Sequence, residues 1–499
     1  MHTVVVSDMH LCDAEPLHPK RRLWKAFRRR EFFFDDDFAR LLQHLHEQAL
    51  ADDQPAELLL NGDIFDFDSI MQLPRQPEGE VNWLAKLRGL PSEEWMSAWK
   101  MELIIEDHLK WFQALTLFLS RGHRAIFVVG NHDVEIHWPR VQQRIREQVG
   151  YSEPQLVFCP WFYLSGNDTF VTHGNQFDPY CSVQNPIDPL IAVGRQPRVR
   201  IPFGDQAQRY MLNGMGYFNP HATANYIMSA WQYVRFFFKY MIRDQPFMLW
   251  TWLWSASVTL VLTLRDFLLP PMQDPMMVEE KVQAIAERSQ VTPSQVRQLS
   301  ALIEPPALTN PLMVLRELWL DRALLMIGLL FVAWEIVLAI NFLWPIGVFW
   351  VMVPLILLSP AYWLYARAVH SEVFSKPLLS PQCATWLHQI TGVSRCIVGH
   401  THVPGRDQIG PIALWNSGCW SPAFSEPECI NRVTVPTFVW LKPNDDGPRE
   451  CNLWTWPPNA TQPGVFALEP TRRRPSSSIE AIASALGKRS DKTTVHPDT

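Results

Sequence analysis

Val128-Val129-Gly130-Asn131-His132-Asp133 decides how this chain is read. A short apolar run enters a glycine turn that sets out an amide, an imidazole and a carboxylate in succession. Four other stretches end in the same manner. Val4-Val5-Val6 leads into Ser7-Asp8-Met9-His10, and Leu58-Leu59-Leu60 into Asn61-Gly62-Asp63-Ile64-Phe65-Asp66. Phe170-Val171-Thr172 leads into His173-Gly174, and Cys396-Ile397-Val398 into Gly399-His400-Thr401-His402. α/β sheets hold their sites beyond the carboxyl ends of strands. One Asp-x-His or Gly-His-x-His alone says little. Five apolar strands, each delivering ligand-type side chains to its end, predict one metal site built from five loops.

In this order the motifs resemble the calcineurin-like, binuclear metallophosphoesterase superfamily, over about residues 2–180 and 380–442. The resemblance implies an α/β fold, a four-layer αββα sandwich, and two divalent metal ions, manganese first, with iron, zinc or cobalt as alternatives. Mixed nitrogen and oxygen ligands suit any of them. It also implies the assignment. Asp8, His10 and His402 hold the first metal, Asp63 bridges, and Asn131, His173 and His400 hold the second. His132 contacts the phosphate and protonates the leaving oxygen as general acid, so Asn131 and His132 both face substrate. Asp133 orients His132. Asp66 reads as structural, and Asn416 as a brace for the ligand loops. Paired metals suit phosphoester hydrolysis because they acidify a bridging water and polarise the phosphoryl oxygens. His44, His46, His108, His123, His137, His221, His370 and His388 read as ordinary surface or core histidines.

The chain has 499 residues, room for two or three domains, and a net charge of −6, which does not describe a nucleic-acid binder. Its eight cysteines form no Cys-x-x-Cys pair and no disulfide framework, and an apolar strand from about Thr3 leaves no room for a leader. Both point to a reduced, cytoplasmic setting.

Residues 1–180 alternate strand and helix patterns, with helices expected at Asp37–Leu50, Glu93–Ser120 and Trp138–Gln148. Residues 381–469 resume the α/β pattern, including a strand at Val433–Leu441. Residues 470–499 read as a disordered tail. Between them, 181–380 reads as a large, mostly helical, membrane-associated insertion. Phe247–Leu264 is uncharged, Ala323–Trp344 carries one charge, Glu335, and Ile346–Ala366 carries none. About 20 apolar residues are needed to span a bilayer, so the last two qualify. Ligands precede and follow these runs, so the number of crossings must be even. A hairpin at about 323–366 turning at Pro345 is preferred. Arg316, Arg322, Arg367 and Lys376 mark both ends as cytoplasmic. The competing solution spans with 247–264 and 323–344 and places 270–311 outside. Glu335 within a span is a functional candidate or a packing partner.

Lys20 to Arg30 carries seven basic residues in eleven positions. It reads either as a solvated helix face or as a surface for anionic lipid headgroups. Ser7-Asp8-Met9-His10-Leu11 and the Gly-His-x-His run also look similar to the UDP-2,3-diacylglucosamine pyrophosphatase branch. That branch commonly has Arg where this chain has His132, and it is typically peripheral. The expected protein is a membrane-anchored hydrolase of a phosphoester or pyrophosphate in a lipid-linked substrate, at the inner membrane, with its catalytic domain facing the cytoplasm. The alternatives are a hydrolase of soluble phosphoesters localised to the membrane and a non-catalytic scaffold.

Overall fold

The computed structural model describes residues 1–467 apart from 19, 195, 223–229, 243–244, 273–274, 370–372, 374–376 and 445–446. The expected tail at 470–499, His370 and Lys376 lie outside the described residues. The strands are β1 (His2–Val6), β2 (Ala56–Asn61), β3 (Arg124–Val128), β4 (Leu156–Cys159), β5 (Phe162–Ser165), β6 (Thr169–Thr172) and β7 (Leu190–Val193). They continue with β8 (Gln196–Val199), β9 (Arg395–Val398), β10 (Gly405–Ile409), β11 (Ile412–Asn416), β12 (Thr437–Lys442), β13 (Glu450–Thr455) and β14 (Gly464–Val465).

One sheet runs β14-β13-β12-β1-β2-β3-β4, and a second runs β10-β11-β9-β6-β5. β1 to β4 are mutually parallel, and β12 pairs antiparallel with β1. In the second sheet β9 lies parallel between β6 and β11. Val4–Val6, Leu58–Leu60 and Ile126–Val128 are buried throughout. Such unbroken apolar runs belong to parallel strands covered on both faces. Helices Asp35–Ala51, Glu94–Asp107, Leu109–Ser120 and Pro139–Val149 cover the outside of the first sheet, through Phe38, Ile104, Trp111 and Ile145. Glu57 and Asn61 of β2 join the sheets, accepting from Ser165 Oγ at 2.7 Å and donating to Thr172 O at 3.0 Å.

The outer layer on the second sheet comes partly from the expected insertion. Helices Pro275–Arg288 and Pro293–Ser300 place Val282, Ile285, Val296 and Leu299 against Phe162, Phe170 and Cys396, beside Leu387 of helix Pro381–Thr391. The stretch also forms the β7–β8 ladder. The middle of the chain is therefore built into the core.

Three expectations are corrected. The pattern over Glu93–Ser120 is two helices, because His108 leaves helical geometry to bond Asp35 and the Cys12 carbonyl. The strand expected from Val433 starts at Thr437, after Pro436, which has no N–H for a ladder. The basic run Lys20–Arg30 is not one exposed face. Lys25 is 3 % exposed and Arg28 4 %, and Arg28 pairs with Asp13.

Helix Met248–Leu268 buries a stripe of Ser255, Ala256, Thr259 and Thr263, and exposes Leu249, Trp250 and Val261. Leu320–Leu343 and Phe349–Ala366 are long and apolar enough to cross a membrane. Where the two helices meet, Phe342 is exposed at 89 % and Phe349 at 86 %. At the other end Arg322 donates to Val369 O at 2.6 Å, and Tyr365 Oη to Asp321 at 2.8 Å. Ala333 and Val337 are the buried positions of the first helix near Glu335, which is itself exposed.

Candidate metal centre

Three of the five strand ends deliver their residues through tight, unusual turns. Asp8, His10, Asp63, His400 and His402 all have φ between 50° and 66°. Non-glycine residues rarely enter this region, and they persist there only where the surroundings hold them. The backbone supplies that hold. The Asp8 amide donates to Gly62 O at 3.1 Å, the His10 amide to Asp63 O at 2.9 Å, and the Gly399 amide to His173 O at 2.8 Å. A Cβ on Gly399 would overlap Asp8 Oδ2, and one on Gly130 would overlap Asp63 Oδ1, so the glycines permit the close approach.

The sheet ends meet as two overlapping donor groups. His402 Nε2 lies 3.2 Å from both His10 Nε2 and Asp8 Oδ1. His173 Nε2 lies 3.0 Å from Asp63 Oδ2, and His400 joins these two in one cluster. Asp63 also belongs with His10 and His132, so it stands between the groups. Asp8 Oδ1 is 4.0 Å from both His10 Nε2 and His173 Nε2. Asn131 donates its amide to Asp205 at 2.9 Å, which leaves its Oδ1 buried and, among the described residues, unpaired.

The donor set fits divalent cations. His173 Nδ1 bonds the Asn61 carbonyl at 2.9 Å, and His402 Nδ1 the His221 carbonyl at 3.1 Å. A carbonyl only accepts, so in the neutral rings Nδ1 carries the proton and Nε2 presents a lone pair. The His173 lone pair faces Asp63, and that of His402 faces Asp8 and His10 Nε2. Acceptors converge on acceptors, an arrangement that a positive charge between them stabilises. The field has that sign at His173. Burial lowers its pKa, but the Asp63 and Asp8 carboxylates outweigh burial and raise it to about 9. His10, by contrast, is held well below the usual histidine range by burial and the neighbouring imidazoles.

His132 sits at the edge of the groups. Its amide donates to Asp63 at 2.9 Å, and its Nδ1 lies 3.5 Å from Asp66 and 3.6 Å from Asp205. Burial alone would lower its pKa. Asp205, Asp63 and Asp66 outweigh burial and raise it well above the ordinary value, which favours the imidazolium. The expected orienting partner is corrected here. Asp133 accepts from the amides of Gly130 at 2.6 Å and Ile64 at 2.8 Å, so its carboxylate braces the turn. Asp66 flanks the His132 ring instead, although it had read as structural. It also accepts from Ser69 and from Gln208 Nε2 at 2.9 Å. Asn416 donates to Gly399 O at 2.7 Å and Thr401 Oγ1 at 2.9 Å, bracing the last ligand loop.

Three residues at the site are not among those expected from the sequence. Asp205, from helix Phe203–Ala207, reaches Asn131 and His132. Asp178 lies 2.9 Å from His400 Nε2. His221, expected to be ordinary, stacks on His10 with ring centroids 3.9 Å apart. Asp178 follows the His173-Gly174 turn closely enough for a search downstream of that motif to find it. Asp205 and His221 follow no apolar strand.

Residues 1–213 match the family model of the calcineurin-like phosphoesterases, which implies divalent metal ions. No curated protein matches the chain. The matched span holds Asp8, His10, Asp63, Asn131, His132 and His173 and ends before His400 and His402. The chain thus carries a domain of the calcineurin-like phosphoesterase family, and that family consists of phosphoester hydrolases.

Proposed function

We propose that this protein is a binuclear metal-dependent phosphoesterase, anchored at the cytoplasmic face of the inner membrane, that hydrolyses a phosphoester or pyrophosphate bond in a lipid-linked substrate. The observation that carries the reading is the position of Asp63, shared between the group with His173 and His400 and the group with His10 and His132. Asp8, His10 and His402 would hold one ion, and Asn131, His173 and His400 the other, with Asp63 bridging. Manganese is the first choice. Bound there, the pair supplies a nucleophile at neutral pH and a sink for phosphoryl charge.

The remaining work falls to this chain's own side chains. His132, whose charged form Asp205, Asp63 and Asp66 favour against burial, donates the proton that the leaving oxygen needs. Asp205 takes the Asn131 amide, which turns the Asn131 oxygen inward. Asp133 fixes the turn that carries both.

The anchor is argued from the exposed apolar hairpin of Leu320–Leu343 and Phe349–Ala366. Its two ends are tied together by Arg322 and Tyr365. Helices Pro275–Arg288 and Pro293–Ser300 pack on the sheet that carries His173 and His400. Segment 270–311 therefore shares a side with the site, which favours the hairpin over a crossing by 247–264.

The test uses detergent-purified protein with added Mn²⁺ and a panel of lipid and soluble phosphoesters. Hydrolysis of a nitrophenyl phosphate ester should need metal and be lost in Asp63→Ala. Replacing 323–366 by a short Gly-Ser link should lower turnover of micellar lipid esters and spare the nitrophenyl ester. Equal lipid turnover with and without the hairpin would end the lipid assignment while leaving the hydrolase intact.

A further inference from the structure

We infer that His221 is a ligand to the same cation as His10 and His402, so that the middle of the chain completes the metal centre. The inference rests on the binuclear reading above. It concerns a residue outside both the matched family span and the five strand-end motifs.

His10, His221 and His402 each offer a ring nitrogen, and these atoms all lie within 4.8 Å of one another. Two anchors fix the His221 backbone. Its amide donates to Asn219 Oδ1 at 2.9 Å, and its carbonyl accepts from His402 Nδ1 at 3.1 Å. Asn219 in turn donates to Pro422 O at 3.2 Å, from the segment after the last ligand loop. The ring lies over His10 at 28° between planes, with Phe27 edge-on at 6.4 Å.

The ring's polar surroundings separate a ligand from a core histidine. Nε2 points toward Asp66 Oδ2 at 3.6 Å, whereas Nδ1 is buried and, among the described residues, has no hydrogen-bond partner. A carboxylate behind one nitrogen with a lone pair left on the other is how ligating histidines are commonly oriented. A histidine kept only for packing would leave that buried nitrogen uncompensated, with its desolvation penalty unrepaid. Asp66 then has two tasks, flanking His132 Nδ1 on one side and His221 Nε2 on the other.

The test is manganese binding to the full chain in detergent, by calorimetry and by metal analysis of dialysed protein. Wild type should hold two ions. His221→Phe keeps a flat ring against His10 and Phe27 but has no donor atom. It should weaken one of the two ions by about 10–100-fold, the size typical of lost support at a metal site, and leave the other within about threefold. Unchanged affinity at both ions in a folded variant overturns the inference and leaves the binuclear reading standing. Fewer than two ions in wild type overturns both. Pulsed electron paramagnetic resonance on wild type with ¹⁵N-histidine needs no variant. Three imidazole nitrogens at one manganese support the ligand, and two at each ion exclude it.

Discussion

The two ends of the same three strands carry similar residues and treat them in opposite ways. At the amino ends stand His2 of β1, Glu57 of β2 and His123 just before β3, and every one is paired. His2 Nε2 bonds Asp52 at 2.7 Å. Glu57 takes Ser165 at 2.7 Å, Thr3 and Tyr163 at 3.2 Å, and Arg124. His123 Nδ1 accepts from the Ala56 amide at 3.1 Å, and its Nε2 meets His46 at 2.9 Å. At the carboxyl ends, Asp8, His10 and Asp63 turn acceptors toward acceptors from backbone in the left-handed region, and Asn131 keeps a buried oxygen that has no partner among the described residues. Buried polar groups are nearly always hydrogen-bonded. An end where they are not is arranged for something the chain does not itself supply. The residue type is no guide, since both ends use His and acidic groups.

The sharpest way to break this contrast is to remove one side chain at the carboxyl end and look for lost stability. His132→Ala should lower kcat on a nitrophenyl phosphate ester by about 10²–10⁴-fold, the usual worth of a positioned general acid. Both metals should stay bound, and the melting temperature should move little. A collapse of stability with unchanged turnover per folded molecule would put His132 in the amino-end class.

The mirror experiment is Glu57→Ala. It leaves the Thr3, Tyr163 and Ser165 hydroxyls without their acceptor inside the seam between sheets. Removing one partner from such a buried charged network costs about 3–5 kcal/mol. Denaturant unfolding should show that loss, while turnover per folded molecule stays at the wild-type level.

Gly399→Ala sharpens the contrast from the backbone side. The added Cβ would overlap Asp8 Oδ2 and Ser7 Oγ, with no flexible chain end to give way. Metal affinity should fall by about 10–100-fold, as when the support of a ligand is lost. Gly122→Ala, in a turn before β3 with open space around it, should leave metal binding unchanged.

The same contrast accounts for what the sequence could disclose. The five strand-end motifs were readable because a fully buried strand must be apolar, and a ligand must then follow within a few residues. The alternation of layers over 1–180 was readable for the same reason. Asp205 and His221 were not, because each reaches the site through tertiary packing of a stretch without periodicity. Asp66 was visible but misjudged. Spacing alone cannot tell a carboxylate bonded to Ser69 and Gln208 from one that also flanks His132 and His221. The helices at 275–300 looked like part of an appendage because their apolar faces say that they pack, and not against what.

The smallest effect belongs to His123, and its sign follows from its partners. Its Nδ1 accepts from the Ala56 amide, so protonating the ring turns an accepted hydrogen bond into a clash of donors. Burial, then His46 and Arg121, lower its pKa to about 4. The unfolded value is about 6.5, so between these limits the unfolded chain binds more protons. Stability from this group is fully present above about pH 6.5 and is lost as pH falls toward 4. The full shift, discounted for solvent screening at a partly open ring, amounts to about 1–2 kcal/mol. Most of it should appear between pH 7 and pH 5 as a falling denaturant midpoint. His2, His44 and His137 are shifted in the same direction and contribute to the same fall. The difference between wild type and His123→Gln isolates the one ring, because a glutamine oxygen can still accept from Ala56 and does not titrate. If the two midpoints fall in parallel with acid, His123 is not the group that senses it. If the variant's falls less, an amino-end histidine is needed neutral by the fold, whereas His132 at the carboxyl end of the same strand is favoured charged by its site.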